Sequence, residues 1–404
     1  MDKKGSVVGG TLLIGGSCIG AGMLALPMIT GLAGFIPSLV MFLCAWGFMT
    51  LTALLMVEAN AWFKDQVNII SMVGHSLGKW GRALSWVLYL FLFYALLVAY
   101  ISGSGNLTST FFNWSFSWEL PIWIASLFFV ILFGSLVYLG TRPVDLWNRV
   151  LMVGKIATYL GLVILGASYV SPKLLSYVEP GYAIYALPVL VIAFGFHNMI
   201  PTLFTYMGGD LKRVRLTILS GSLFALAIYI VWEVIVLGIV PLDGPSGIYE
   251  SLKRDDEASQ AVAGIVGSSW VGMFAQGLGF FAILTSFLAQ SLGLVHFLSD
   301  GFKIKTKARE NIGICVLALF PPLVFSLIYP QLFFKALNFA GGICAVILFG
   351  LIPVIMVWRG RYKKQLASSY QVFGGKPLLV GIFCFALFIL IFQVLSMVGV
   401  VSHV

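Results

Sequence analysis

The groups best placed to do chemistry in this chain belong to the backbone. Gly15, Gly16, Gly20 and Gly22, followed by Pro27, fall within GGSCIGAGMLALP at 15–27. Residues 5–57 around them hold no charged side chain, enough apolar chain for two membrane spans of about 20 residues each. A helix interrupted at mid-membrane depth leaves N–H and C=O groups unpaired, which hydrocarbon does not tolerate unless the break lines a cavity or holds a ligand. The N–H groups of Gly20, Ala21 and Gly22, with Ile19 just before them, would open a second half-helix. Its positive dipole end suits a carboxylate, and glycine lets a ligand come close to the backbone. Small residues also serve tight helix packing, but packing alone does not ask for a GAG run followed by proline.

A second interruption is expected at AFGFHNMIP, residues 193–201. Carbonyls around Ala193, Phe194 and Gly195 would end a half-helix and could receive an ammonium group. Phe194 and Phe196 could touch an aromatic ring. His197 and Asn198 could bond a phenol or an indole N–H, although a buried histidine tied to a neighbouring backbone group explains His197 as well. Two interrupted hydrophobic segments at matching positions of two halves point to a transporter binding site.

Few ionisable groups share the membrane with these breaks. Lys155 lies several residues inside a span, where an amine is costly unless paired, functional or able to snorkel. Glu58 ends the second span and Glu233 sits deep in the seventh. Tyr94, Tyr100, Ser102 and Ser104 on the third span and Asn338 on the tenth are further polar candidates. Cys18, Cys44, Cys315, Cys344 and Cys384 are scattered through hydrophobic stretches without a CxxC pair, so neither a disulfide nor a metal site is expected. His75, His197, His296 and His403 are equally dispersed. No His/Asp/Glu/Cys set gathers for catalysis and no P-loop is present. The expectation is a secondary transporter without cofactor or metal, not an enzyme or an ATP-driven pump.

The elements that must carry these residues are membrane helices. The chain has 404 residues, 60% hydrophobic and 10% charged, against about 25% charged in soluble domains. Breaking it at charges and turn residues gives eleven spans: 5–32, 34–61, 82–108, 119–141, 146–171, 182–207, 217–240, 268–296, 311–329, 335–357 and 377–400. An amphipathic segment at 66–80 is expected along the interface, and 241–267 forms the largest loop. Spans one to five (5–171) and six to ten (182–357) have similar lengths, so the second half would be an inverted copy of the first, with 377–400 as an extra helix. With the N-terminus inside, nineteen of the 24 Lys and Arg residues fall in inner connections and four outside, with Lys155 within a span. That asymmetry places the N-terminus in the cytoplasm and the C-terminus outside. It also accounts for the net charge of +9 without a nucleic-acid partner. Lys3 and Lys4 precede a span too long and glycine-rich for a cleavable signal, so the first span is expected to stay as an anchor.

IGAGMLALP at 19–27 resembles the signature of the hydroxy and aromatic amino acid permeases, within the amino acid–polyamine–organocation superfamily. FGFHNMIPTLFTYMGGD at 194–210 and LTSFLAQSLGL at 284–294 continue the likeness. The resemblance implies an all-α integral membrane protein with the LeuT-like 5+5 inverted repeat and an eleventh transmembrane helix. It also implies proton-coupled uptake of an aromatic amino acid across a bacterial inner membrane; tyrosine is the first expectation and tryptophan the second, since both need an apolar slot with one polar partner. In sodium-coupled members of that fold an ion lies between the first break and span eight. The matching groups here are the carbonyls of Gly15, Cys18 and Ala282 and the hydroxyls of Thr285 and Ser286. In some proton-coupled relatives a span-five lysine amine takes that position, which would make Lys155 the proton switch. Glu233 could carry protons as well, or pair silently with a polar group. The chain departs from its relatives at His296, where an acidic residue is common, and at Glu233, where a neutral amide is common. A sodium-coupled carrier of the same fold is the competing expectation, and an amine such as Lys155 argues against it.

Overall fold

A computed structural model of the chain describes residues 5–63, 67–266, 269–302, 312–329, 331–366 and 370–401, without the side chains of 114–116 and 269. Among the inner-loop charges, Lys3, Lys4, Lys64, Lys303, Lys305, Lys307 and Arg309 lie outside the described residues, as does His403. Every regular element among the described residues is helical.

The first span is broken where the glycines predicted it. Helices α1 (Val7–Cys18) and α2 (Gly22–Thr30) meet at a bend of 58°. Gly34, at φ +87°, turns the chain into α3 (Phe35–Asn60); a Cβ there would lie 2.0 Å from Tyr177 O. Helix α4 (Ile69–Phe116) begins with the Asn68 side chain accepting the Ser71 N–H. It joins the expected interfacial segment to the third span, separated only by non-helical Gly78 at φ +82°. Helices α5 (Ile122–Leu139) and α6 (Thr141–Gly166) follow, then the short α7 (Pro172–Leu175).

The second half starts with another broken span, α8 (Leu187–Ala193) and α9 (Ile200–Tyr206), joined by a tight turn at Phe196–Met199. Helix α10 (Leu211–Ile239) is capped by Asp210, which accepts the N–H groups of Lys212 and Arg213. Within the expected loop at 241–267 lie α11 (Ile248–Arg254) and α12 (Ala258–Ile265), the latter opened by a capping box of Glu257 and Gln260. Helices α13 (Ser269–Gly301) and α14 (Ile312–Ile328) come next. The tenth span consists of α15 (Phe333–Phe339), a π-helical stretch at Ala340–Leu351 and α16 (Ile352–Tyr362). Helix α17 (Gly375–Met397) ends the bundle.

Nine helical segments among the described residues are long and apolar enough to cross a membrane, and the bent α1/α2 pair makes a tenth span. Helix α14, at 17 residues, coincides with the remaining expected span. Helices α6 and α10 start earlier than their apolar runs suggest, at Thr141 and Leu211, because nothing in the backbone stops them at the basic residues there. Small residues set the closest contacts around the breaks. A Cβ on Gly221 of α10 would lie 2.6 Å from Ile14 Cβ of α1, and one on Gly341 would lie 1.8 Å from Pro188 O. Close backbone approach of this kind replaces the hydrophobic driving force that lipid does not supply between helices.

Candidate functional site

At the first break, Ile19 leaves helical geometry (φ −74°, ψ 80°) and the Gly20 N–H turns back to Cys18 O at 2.8 Å. The Ala21 N–H is taken by Ser286 Oγ of α13 at 2.9 Å. Gly22 is the first residue of α2, where N–H groups have no intrahelical acceptor. Of the three N–H groups expected to meet a ligand, two therefore have protein acceptors and Gly22 remains. A Cβ on Gly20 would stand 2.6 Å from Ser286 Oγ, so glycine there keeps α1 and α13 in register.

At the second break, Phe194 (φ −92°, ψ 22°) and Gly195 (φ −80°, ψ 47°) end α8. The two breaks share one phenol. Tyr229 of α10, fully buried, places its hydroxyl 2.7 Å from Cys18 O and 2.9 Å from Ala193 O. Its single proton is shared between the two carbonyls, of which Cys18 O also accepts the Gly20 N–H. One turn further, Trp232 Nε1 donates to Met23 O at 3.0 Å.

Between the breaks lies a cavity of about 320 Å³ lined by Ile19 to Gly22, Ala193, Gly195, Asn198, Tyr100, Lys155, Thr285 and Ser286, with Phe349 and Leu337 of the tenth span. It continues past Leu12, Leu13, Ser17, Asn148 and Met152 toward the end of the bundle that carries the N-terminus. On the opposite side α2 is buried from Met23 to Thr30 and contacts α11 and α12.

Lys155 is 3% exposed, and its Nζ donates to Ile19 O at 2.6 Å and to Thr285 Oγ1 at 3.3 Å. The amine thus bridges the first break to α13. Cys18 lines the cavity, while Gly15 turns away from it and packs on α10, where Phe224 and Gly221 leave no room for a Cβ. Ala282 O accepts the Thr285 hydroxyl.

Several expected residues stand behind the cavity wall. Phe194 packs on the Tyr229 ring at 5.1 Å, and Phe196 is buried against His197. His197 is fully buried, stacked on Phe349 at 4.8 Å, with Nε2 2.9 Å from Thr52 Oγ1. Tyr94 faces α14 and donates to Leu317 O at 2.8 Å, whereas Leu92, Leu96 and Tyr100 of the same helix line the cavity. Glu233 is buried beside Thr30, whose hydroxyl donates to its Oε1, away from the cavity.

The sequence did not single out Tyr229 and Trp232, nor Tyr89 of α4, whose hydroxyl donates to Asn198 Oδ1 at 2.9 Å. Positions 229, 232 and 233 share one face of α10, so a stripe of polar-tipped residues in YIVWEV was the available signal. Two further contacts tie helices together at the two ends of the bundle. Arg361 of α16 holds Glu58 of α3 through two hydrogen bonds of 2.6 and 2.5 Å, both side chains nearly inaccessible. At the other end Asp255, between α11 and α12, accepts the N–H groups of Phe333 and Phe334 at 2.6 and 3.2 Å. Burial pushes the Asp255 carboxyl up to about 6, against the pull of those two bonds and of Lys335. Glu257 is likewise pushed up to about 7 by burial, opposed by its bonds to Ser259 and Gln260.

Residues 3–393 match the model of the tryptophan/tyrosine permease family. The tyrosine-specific transport system 1 of Haemophilus influenzae is 34% identical, with 92% of each chain covered. The tryptophan-specific transport protein of Shigella flexneri is 30% identical, covering 94% of this chain and 92% of the relative. Among solved structures, MhsT in complex with L-phenylalanine superposes with a TM-score of 0.64 at 14% identity, covering 97% of this chain and 99% of that one.

Proposed function

The chain belongs to the tryptophan/tyrosine permease family, a multi-pass membrane transporter and not an enzyme, and from that premise we propose proton-coupled symport of an aromatic amino acid, tyrosine first. The α-carboxylate docks at the Gly22 end of α2 and the ammonium at the carbonyls that end α8. The ring lies among Leu96, Tyr100, Ile192 and Phe349. Relatives named for tyrosine and for tryptophan support an aromatic substrate.

The observation that carries the coupling is the 2.6 Å contact of Lys155 Nζ with Ile19 O. The same amine bonds Thr285 Oγ1, one of the oxygens that a sodium ion at the expected position would need free. A proton arriving on or leaving the amine changes what holds the first break to α13, and so biases the two arrangements of the bundle. Alternating access follows from rocking of spans one, two, six and seven against three, four, eight and nine. The two halves, about 5–171 and 182–357, act as inverted repeats, with 377–400 as an added helix. The membrane is the bacterial inner membrane, with the basic face and N-terminus cytoplasmic, so the cavity described here opens inward.

Uptake of radiolabelled tyrosine by proteoliposomes, with unlabelled tryptophan as competitor, tests the reading. It predicts accumulation under an inward proton gradient and competition by tryptophan. Absence of uptake of either amino acid refutes the substrate class.

A further inference from the structure

The span-six break puts one amide against the cavity, and its orientation is set from behind. Asn198 lies three residues past Gly195 and lines the cavity. Tyr89 of α4, buried, donates its hydroxyl proton to Asn198 Oδ1 at 2.9 Å. Turning the amide over would face this O–H with N–H groups and leave its proton without an acceptor, a costly state for a buried donor. Asn198 Oδ1 therefore points at Tyr89. The two Nδ2 hydrogens are left for the cavity, with no protein acceptor among the described residues.

We infer that Asn198, held by Tyr89, reads the polar tip of the substrate ring and selects a phenol over an indole. A phenol oxygen offers lone pairs to the Nδ2 donors, whereas an indole nitrogen is a donor only. Two donors facing each other both stay unpaired. Phenylalanine, with no polar tip, leaves the amide dry.

The other polar groups of the cavity do not make this distinction. Asn148 lies seven residues before Lys155, about 10 Å along α6, at the cavity mouth and not beside the breaks. Gln290, one turn past Ser286, lines the cavity with no hydrogen bond fixing its amide among the described residues, and can present either face. Tyr100 carries a hydroxyl that both donates and accepts.

The inference rests on the aromatic-permease reading, and the test separates the two. Tyrosine, phenylalanine and tryptophan compete against labelled tyrosine in proteoliposomes of wild type, Tyr89→Phe and Asn198→Leu. Wild type should prefer tyrosine to each of the others by about three- to tenfold, the worth of one net hydrogen bond. In Tyr89→Phe the freed amide can turn, so tryptophan should gain several-fold relative to phenylalanine. In Asn198→Leu tyrosine and phenylalanine should become equal within about twofold. These are ratios within one variant, so poor folding or reconstitution, which lowers all three alike, does not move them. Either ratio left at its wild-type value, or a wild type that prefers tryptophan, overturns the inference. Absence of uptake and of competition in wild type refutes instead the aromatic-permease reading beneath it.

Discussion

Raising the pH should loosen the α11/α12 cover above the site, and Asp255 sets the size of the effect. In the docked cover, burial holds its carboxyl at about 6, against 3.8 in solvent. Between those values the undocked cover releases its proton while the docked cover keeps it. Docking is therefore most favourable below about pH 4, and that advantage is lost as pH rises through about 6. The full displacement is worth about 3 kcal/mol. Roughly half of it, close to tenfold in the opening equilibrium, falls between about pH 5 and pH 7.5. The facing charges are Lys335 on α15, which favours the ionised form, and Asp256, which opposes it and is paired with Arg254 at 2.7 Å. Glu257, at about 7 against 4.5, adds in the same direction. Hydrogen exchange of 248–265 in detergent, corrected for the intrinsic pH dependence of exchange, reads the opening. Protection should fall as pH rises, and Asp255→Asn, neutral throughout, should lose about tenfold of that dependence. Protection that is flat or rises with pH in wild type, or an unchanged slope in Asp255→Asn, would rule out Asp255 as the group that couples docking to pH.

Other perturbations have equally definite outcomes. Gly20→Ala pushes a methyl to within 2.6 Å of Ser286 Oγ; losing the Ser286–Ala21 bond should raise the KM for tyrosine about tenfold, measured by uptake. Tyr229→Phe leaves Cys18 O and Ala193 O without their shared donor, and should lower the maximal uptake rate several-fold while the protein still elutes as a folded species. Arg361→Ala strands the buried Glu58 carboxylate, a loss of about 3–5 kcal/mol that a thermal-shift assay should register. The double change Glu58→Met and Arg361→Met, which removes both charges, should recover most of it.

How far the sequence reached depended on whether the signal was local. The first break was legible because Gly20, Gly22 and Pro27 stand in a span without a charge, and AFGFHNMIP marked the second in the same way. The face each helix turns inward was not legible. Between Val87 and Ile101 helix α4 is almost uniformly apolar, so Tyr94 and Tyr100 looked alike, yet positions 92, 96 and 100 line the cavity while Tyr94 meets α14. The π-helical stretch carried no signal either, since AGGICAVILFGL reads as an ordinary span; Gly341 against Pro188 O shows the tight packing that accompanies it. Residues 241–267 read as a loop because the contact that fixes them joins Asp255 to Phe333, 78 positions away.

The central claim is that Lys155 carries the coupling proton. Its most direct test is tyrosine uptake by proteoliposomes of wild type and Lys155→Ala under an imposed inward proton gradient or an inward sodium gradient. Protons alone should drive accumulation in wild type, and Lys155→Ala should lose it while still exchanging tyrosine across the membrane. Accumulation that follows sodium, or proton-driven accumulation that survives Lys155→Ala, would contradict it.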